Sequence, residues 1–301
     1  MVPYVRAKDV EHLLDWNNLA DALLAGHRMP PAEISDQFLH RGGDTLLSRA
    51  AWIDGVGVAV KSVTVMPGNA TQGLPSVHGA MVLFEDKTGQ VEAVIDSALV
   101  TKWKTAGDSV LGARLLARPD SKRLLIVGAG TVAASLIEAY RAVFPNIDIS
   151  VWNRTKAKAE GLGVPVADDL EAAVRAADII SCATMATDPI IKGEWLQDGQ
   201  HLDLIGAFKA DMREADDLAM QRAKVFVDSR ATTVEHIGEL MIPIASGAIS
   251  ARDVQGDLYD LVHGGGRMSD DDITLFKNGG GAHLDLMTGQ VILKAWRDAR
   301  T

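Results

Sequence analysis

The residues best suited to chemistry lie in Leu124-Leu125-Ile126-Val127-Gly128-Ala129-Gly130-Thr131-Val132-Ala133, an apolar run, a glycine turn and the start of a helical stretch. That order suits the pyrophosphate of a dinucleotide. Gly128 permits the tight turn, Gly130 lets the backbone approach the phosphates, and Ala133 allows close packing of helix on strand. Thr131 and Val132 open the helix, whose N-terminus offers free N–H groups and a positive dipole. A second apolar run, Ile147 to Trp152, ends in Asn153-Arg154-Thr155, where an NAD-specific site usually places an acid for the ribose 2′-hydroxyl. No acid stands there. Arg154 can pair with a 2′-phosphate while Asn153 and Thr155 hydrogen-bond it, so NADPH is the expected cofactor, with NADH as the alternative. Ala183, Thr184 and Met185 follow the fourth apolar run and are expected near the nicotinamide half. Cys182 before them reads as a small core residue.

The elements around the turn imply an α/β chain in two parts. From residue 119 to 282, short apolar runs alternate with helical stretches, the pattern of a Rossmann doubly wound parallel sheet covered on both faces. Residues 1–118 mix helix and strand: Asp9 to Gly26 has helical spacing, Gly57 to Val65 and Gly79 to Glu85 read as strands, and Asp86 to Gln90 reads as a hairpin turn leading to Val91–Ile95. Ala98 to Ala117 then reads as a long helix. These residues and the final helix at 283–301 are expected to form an α+β substrate and dimerisation domain, the tail returning to the first part of the chain.

Composition narrows the function classes. A net charge of -10 and a pI near 5.2 argue against nucleic acid or an anionic membrane surface as partner. A small soluble substrate fits better. One cysteine excludes a disulfide framework and a multi-cysteine metal site, so no metal is expected and the reducing cytoplasm is the simplest compartment. Neither a signal peptide nor a membrane span is read from the sequence.

Three further segments, Lys61–Asn69, Gly73–Gly79 and Thr101–Ala106, taken with the order of domains, resemble the ornithine cyclodeaminase/mu-crystallin family. The resemblance implies a homodimer built through the substrate domains. It also implies that Lys61 binds the substrate carboxylate beside the reacting carbon, a role that suits a cation making charge-assisted hydrogen bonds. Lys104 stands where the family usually has Arg, and a point charge there gives up the planar fork. Arg49 can supply that fork, with Arg41 as a competing candidate. His78 stands where relatives often have Gln and either bonds substrate or nicotinamide or is satisfied structurally. Asn278 and Gly279 fall in a segment that in relatives closes over the nicotinamide.

The departures point to the branch of the family. Ornithine cyclodeaminases carry an essential Asp after the glycine pair that matches Gly206-Ala207; here the residue is Phe208, which cannot accept a proton. Gly206 and Phe208 are expected at the cofactor, Phe208 as an apolar wall. The run from Gly206 to Asp216 resembles the cyclic ketimine reductases, as does Asp108, which either balances a cation, assists proton delivery or makes a supporting salt bridge. The expected reaction is therefore NAD(P)H-dependent reduction of a small imino acid, Δ1-pyrroline-2-carboxylate or its six-membered homologue, to L-proline or L-pipecolate. An open-chain imino-acid reductase is the main rival. Ornithine cyclodeaminase and a non-catalytic cofactor-loaded binding protein rank below it.

Overall fold

A computed structural model describes residues 2–300. The chain opens with β1 (Tyr4–Val5), α1 (Ala7–Val10), a 3-10 turn and α2 (Trp16–Gly26). The single helix expected over 9–26 is thus broken, because Asp15 turns extended and its side chain caps α2 by accepting from Asn18 N at 2.9 Å. Next come β2 (Glu33–Arg41), β3 (Asp44–Ile53), β4 (Gly57–Val65), β5 (Val77–Phe84), β6 (Val91–Asp96) and α3 (Ser97–Leu116). The β2–β3 hairpin escapes a reading of sequence periodicity because β2 is exposed along almost its whole length, so no apolar alternation marks it. Its turn is Gly42-Gly43, with Gly42 at φ +58°.

Alternation then sets in: β7 (Arg123–Val127), α4 (Thr131–Val143), β8 (Asp148–Trp152), α5 (Lys156–Glu160), α6 (Leu170–Ala176), β9 (Ile179–Cys182) and β10 (His201–Leu204). The remainder is α7 (Asp217–Arg222), β11 (Lys224–Val227), α8 (Arg230–Thr233), α9 (Gly238–Ala245), β12 (Val254–Gly256), α10 (Leu258–Leu261), β13 (Thr274–Lys277) and α11 (Ala282–Asp298).

Two compact units result, one of residues 1–104 with 280–301 and one of residues 105–279. The division falls inside α3 and just before α11, whereas the sequence reading placed it at 118/119 and 282/283. The first unit holds a six-stranded sheet in the order β1-β6-β5-β4-β3-β2, antiparallel except for β1 against β6. Along β4 the residues alternate in burial, with Ala59, Lys61 and Val63 on the covered face. The helix α11 packs over β3, β4 and β5 and against α2. Gly289 makes that closeness feasible, since an added Cβ would run into the Met81 methyl on β5. At the head of α3, Trp103 stacks on Trp16 of α2 with ring centroids 3.9 Å apart.

The second unit is a seven-stranded parallel sheet, β12-β11-β13-β10-β9-β7-β8, the doubly wound arrangement expected from the sequence. The chain leaves β7 for β8 on one side and returns to β9 on the other. That reversal opens a crevice at the carboxyl end of β7, the place where such sheets take ligands. Buried aliphatic residues of β7, β9, β10, β11 and β13 form its core. No helix among the described residues is long and apolar enough to cross a membrane.

Candidate active site

In the first unit, strand register assembles the cations. Arg49 on β3 stands directly across from Lys61 on β4, and Asp36 on β2 directly across from Arg49. The α11 helix brings Asp285 over the same face. Lys61 Nζ donates to Asp285 Oδ1 at 2.5 Å and to Thr101 Oγ1 at 3.4 Å. Lys104 Nζ lies 3.9 Å from the same carboxylate oxygen and donates to the Gly280 carbonyl, which also accepts from Arg49 Nη1 at 2.6 Å. The rest of the Arg49 guanidinium forks onto Asp36. Lys61, Lys104 and Asp285 are each 5% exposed or less.

Charge decides what this cluster can hold. Burial pushes the Asp285 carboxyl up, but Lys61, then Lys104 and Arg49, outweigh it and hold it below the ordinary range. The two imidazoles nearby add no charge. Burial drives His27 down to about 4, and drives His283 well below its ordinary value, with His27, Lys104 and Arg49 pushing the same way. Three cations against the carboxylates of Asp285 and Asp36 leave one net positive charge, which suits a monoanion. Asp285 Oδ2 has no hydrogen-bond partner among the described residues, so the cluster also keeps an open acceptor.

Of the expected substrate residues, the structure thus brings together Lys61, Lys104 and Arg49. Arg41 is excluded as the fork, because it sits at the hairpin turn with its side chain 82% exposed and paired to Asp44. His78 does not join them. It pairs with Thr64 and is exposed, and the two-residue period of the sheet turns it to the face opposite Met81 and Lys61. Asp108, buried on α3, falls in the second unit. Asp285 and Asp36 were not anticipated. Asp285 had one signal, an acid set between Leu284 and Leu286 in a mainly apolar stretch of the final helix.

In the second unit, Gly128 follows β7 at φ +119°, a conformation that favours glycine, and an added Cβ would lie 2.6 Å from the Ala183 carbonyl. Gly130 is the N-cap of α4 and is open, with nothing within 4 Å of an added Cβ and no side chain capping the helix. The first turn from Thr131 and Val132 can therefore receive a pyrophosphate, and the residues present fit a dinucleotide. Asn153, Arg154 and Thr155 follow β8, with Arg154 exposed and Asn153 Nδ2 bonded to the Thr155 carbonyl at 2.8 Å. Ala183, Thr184 and Met185 follow β9, and Gly206 and Phe208 follow β10; Met185 is 72% and Phe208 54% exposed. Asn278 is fixed by bonds from its Nδ2 to the Thr105 carbonyl and Ser109 Oγ, and Gly279 N donates to Asp228.

Behind these strand ends lies a set of buried acids that the sequence reading did not single out. Burial raises Asp203 to about 7, against the pull of hydrogen bonds from Ser181 and Ser109 and the charge of Lys277. Glu214 and Glu239 are also fully buried.

The family model described as ornithine cyclodeaminase/mu-crystallin family matches residues 43–300. The chain belongs to that family. It is 58% identical over 298 residues to the Δ1-pyrroline-2-carboxylate reductase of Paracoccus denitrificans, covering 95% of this chain and 94% of the relative. The Δ1-pyrroline-2-carboxylate reductase of Thermococcus litoralis, solved with NADH and L-proline, superposes with a TM-score of 0.91 at 26% identity, covering 100% of this chain and 99% of the other. An archaeal alanine dehydrogenase dimer with bound NAD gives 0.90 at 26% identity, covering 100% and 97%.

Two stability measurements follow from this site. Removing one partner of a buried ion pair leaves the other charge uncompensated, so Asp285→Asn is expected to cost about 3 to 5 kcal/mol in urea unfolding. Lys61→Met/Asp285→Asn should cost less than the two single changes summed, and strict additivity would show the two side chains to be energetically independent. For Asp203 the sign is set by its raised value. The folded state keeps a proton that the unfolded chain gives up near pH 4, so stability falls as pH rises from about 4 to about 7. Asp203→Asn should flatten the decline of the urea midpoint across that window, and an unchanged slope would show that Asp203 folds ionised.

Proposed function

We propose that this chain reduces Δ1-pyrroline-2-carboxylate, and its six-membered homologue, to L-proline and L-pipecolate with a nicotinamide cofactor. The observation that carries the reading is the Lys61-Lys104-Arg49 cluster, with both lysines buried and one positive charge in excess over Asp285 and Asp36, in a chain that also carries a dinucleotide turn. The 58% identity to a reductase of that name supports the substrate.

In this reading the first unit binds the acid group. Lys61 and Lys104 give charge-assisted hydrogen bonds to the substrate carboxylate, and the Arg49 fork, braced on Asp36, fixes its plane. Asp285 keeps Lys61 in one rotamer and holds a negative charge facing the cations, which favours the protonated ring nitrogen of the imine over the neutral one. The cofactor, when bound at Gly128–Val132, supplies a hydride to the imine carbon. Protonation of nitrogen makes that carbon electrophilic, so the protein's task is alignment and exclusion of water. Phe208 provides an apolar surface where a deaminating enzyme needs a base, so no ammonia is released.

For the cofactor, Arg154 favours NADPH through the 2′-phosphate, with no acid at the end of β8 to hold a free 2′-hydroxyl. The Thermococcus litoralis neighbour was solved with NADH, which keeps NADH as the competing donor. A homodimer is the proposed assembly. Phe38 and Leu39 on the edge strand β2 and Trp52 on the neighbouring β3 are each more than half exposed, and the archaeal neighbour is a dimer. A reducing cytoplasm suits the one buried, free cysteine.

The deciding experiment follows cofactor oxidation with Δ1-pyrroline-2-carboxylate, Δ1-piperideine-2-carboxylate, and pyruvate with and without ammonia. Turnover of the cyclic imines without ammonia is expected, with Lys61→Ala reducing kcat/KM by about 100-fold or more, on the order of 3 kcal/mol of lost transition-state binding. Turnover of pyruvate that needs ammonia, with inert cyclic imines, would establish an open-chain amino-acid dehydrogenase instead. Arg154→Ala should lower kcat/KM for NADPH by about tenfold and leave NADH within about twofold, the loss of one charge-assisted contact. Equal effects on both cofactors would remove Arg154 from the 2′-position.

A further inference from the structure

Two loops of the second unit, one after β9 and one after β10, carry Thr184, Met185, Gly206 and Phe208. Both end on one side chain. Glu214 Oε1 accepts from Thr184 N at 2.7 Å and from Thr184 Oγ1 at 2.8 Å, while its Oε2 accepts from Gly206 N at 2.6 Å. Glycine at 206 is required by the same junction, since an added Cβ would collide with the Thr184 carbonyl and come within 2.6 Å of Glu214 Oε1. Gly128 closes the chain of contacts by packing against Ala183. The pyrophosphate turn and both loops are thus one continuous surface with Glu214 beneath it.

Glu214 is itself held from below. Its backbone N and that of Ala215 donate to the two oxygens of Glu239 at 2.7 and 3.0 Å, and its carbonyl accepts from Ile190 and Ile191. The groups facing it are Glu239 on α9, Lys277 on β13, Cys182 at the end of β9, Thr184 in the loop after it, and Asp203 on β10. Lys277 is the one cation among them, and its Nζ also donates to the Leu204 carbonyl at 2.9 Å. Burial raises the carboxyls of both glutamates, with Lys277 opposing it. An apolar side chain would fill this space without such cost, so a carboxylate here serves its acceptor geometry.

We infer that Glu214 is a positioning residue for the nicotinamide half of the cofactor, fixing the loops after β9 and β10 in the binding-competent arrangement before the cofactor arrives. It does not touch the reacting atoms. Its three accepted hydrogen bonds hold Thr184 and Gly206 in one geometry, and without them the loops sample others. Apparent affinity then falls in proportion to the fraction of molecules still competent. This inference rests on the proposed cofactor site.

The test compares wild type with Glu214→Gln and Glu214→Asp. Glutamine keeps one acceptor oxygen and puts an NH2 against a backbone donor, whereas aspartate keeps both acceptor oxygens on a shorter arm. Equilibrium titration with NADPH and NADH by fluorescence is paired with steady-state kinetics on Δ1-pyrroline-2-carboxylate. Expected are a tenfold or greater rise in cofactor Kd for the glutamine variant, a smaller rise for aspartate, and an imine KM at saturating cofactor within threefold of wild type. A purely structural role would lower the melting temperature without separating cofactor from imine. If wild type binds neither nucleotide, the cofactor site itself is wrong. If wild type binds and the folded variants bind equally well, or lose cofactor and imine affinity alike, the inference on Glu214 fails. If neither variant folds, Glu214 belongs to the core and the inference falls as well.

Discussion

A buried cation needs a counter-charge that cannot leave, and in this protein Asp285 supplies it to Lys61. Lys61 points from the middle of β4 into a face otherwise lined by Ala59, Val63 and Met81. An ammonium group in such surroundings loses hydration worth several kcal/mol, which a single well-placed carboxylate must offset. The demand fixes the path of α11, whose first turn has to lie over β3 and β4. Small residues meet it: Gly289 brings the helix down onto Met81, and Gly26 of α2 leaves room for Met287. The Lys61–Asp285 pair is therefore a property of how the helix packs.

The second unit solves a different problem, that of holding irregular backbone rigid. Loops after parallel strands have no ladder of their own, and the N–H groups at their bases need acceptors. Glu214 and Glu239 provide these from within the core, and Lys277 opposes the upward push that burial puts on both carboxyls. Rigid loops lose little conformational freedom when a ligand orders them further.

Legibility in the sequence followed local signal strength. The pyrophosphate turn was plain because its steric demands fall within ten consecutive residues, and the parallel sheet because its strands are short buried runs between helices. Lys61 and Lys104 were found through motif resemblance, and the fold brought both to one carboxylate. Arg49 could be separated from Arg41 only by strand register, since β2 and β3 lack the alternation that would have shown the hairpin. Asp285 lies 224 residues from Lys61, and Glu214 earns its place through contacts with loops after two other strands. Pairings of that kind are fixed by tertiary geometry and leave only a faint trace in local pattern.

The first unit is discontinuous, with residues 280–301 completing a sheet and helix layer begun by the first 104. On the ribosome, the strand carrying Lys61 emerges long before α11, and the whole contiguous second unit is made in between. Domains that are contiguous can fold as they appear. The first unit instead waits with an unneutralised lysine and an uncovered apolar sheet face until α11 has been made. Its maturation therefore depends on a segment that is synthesised only after the whole of the second unit.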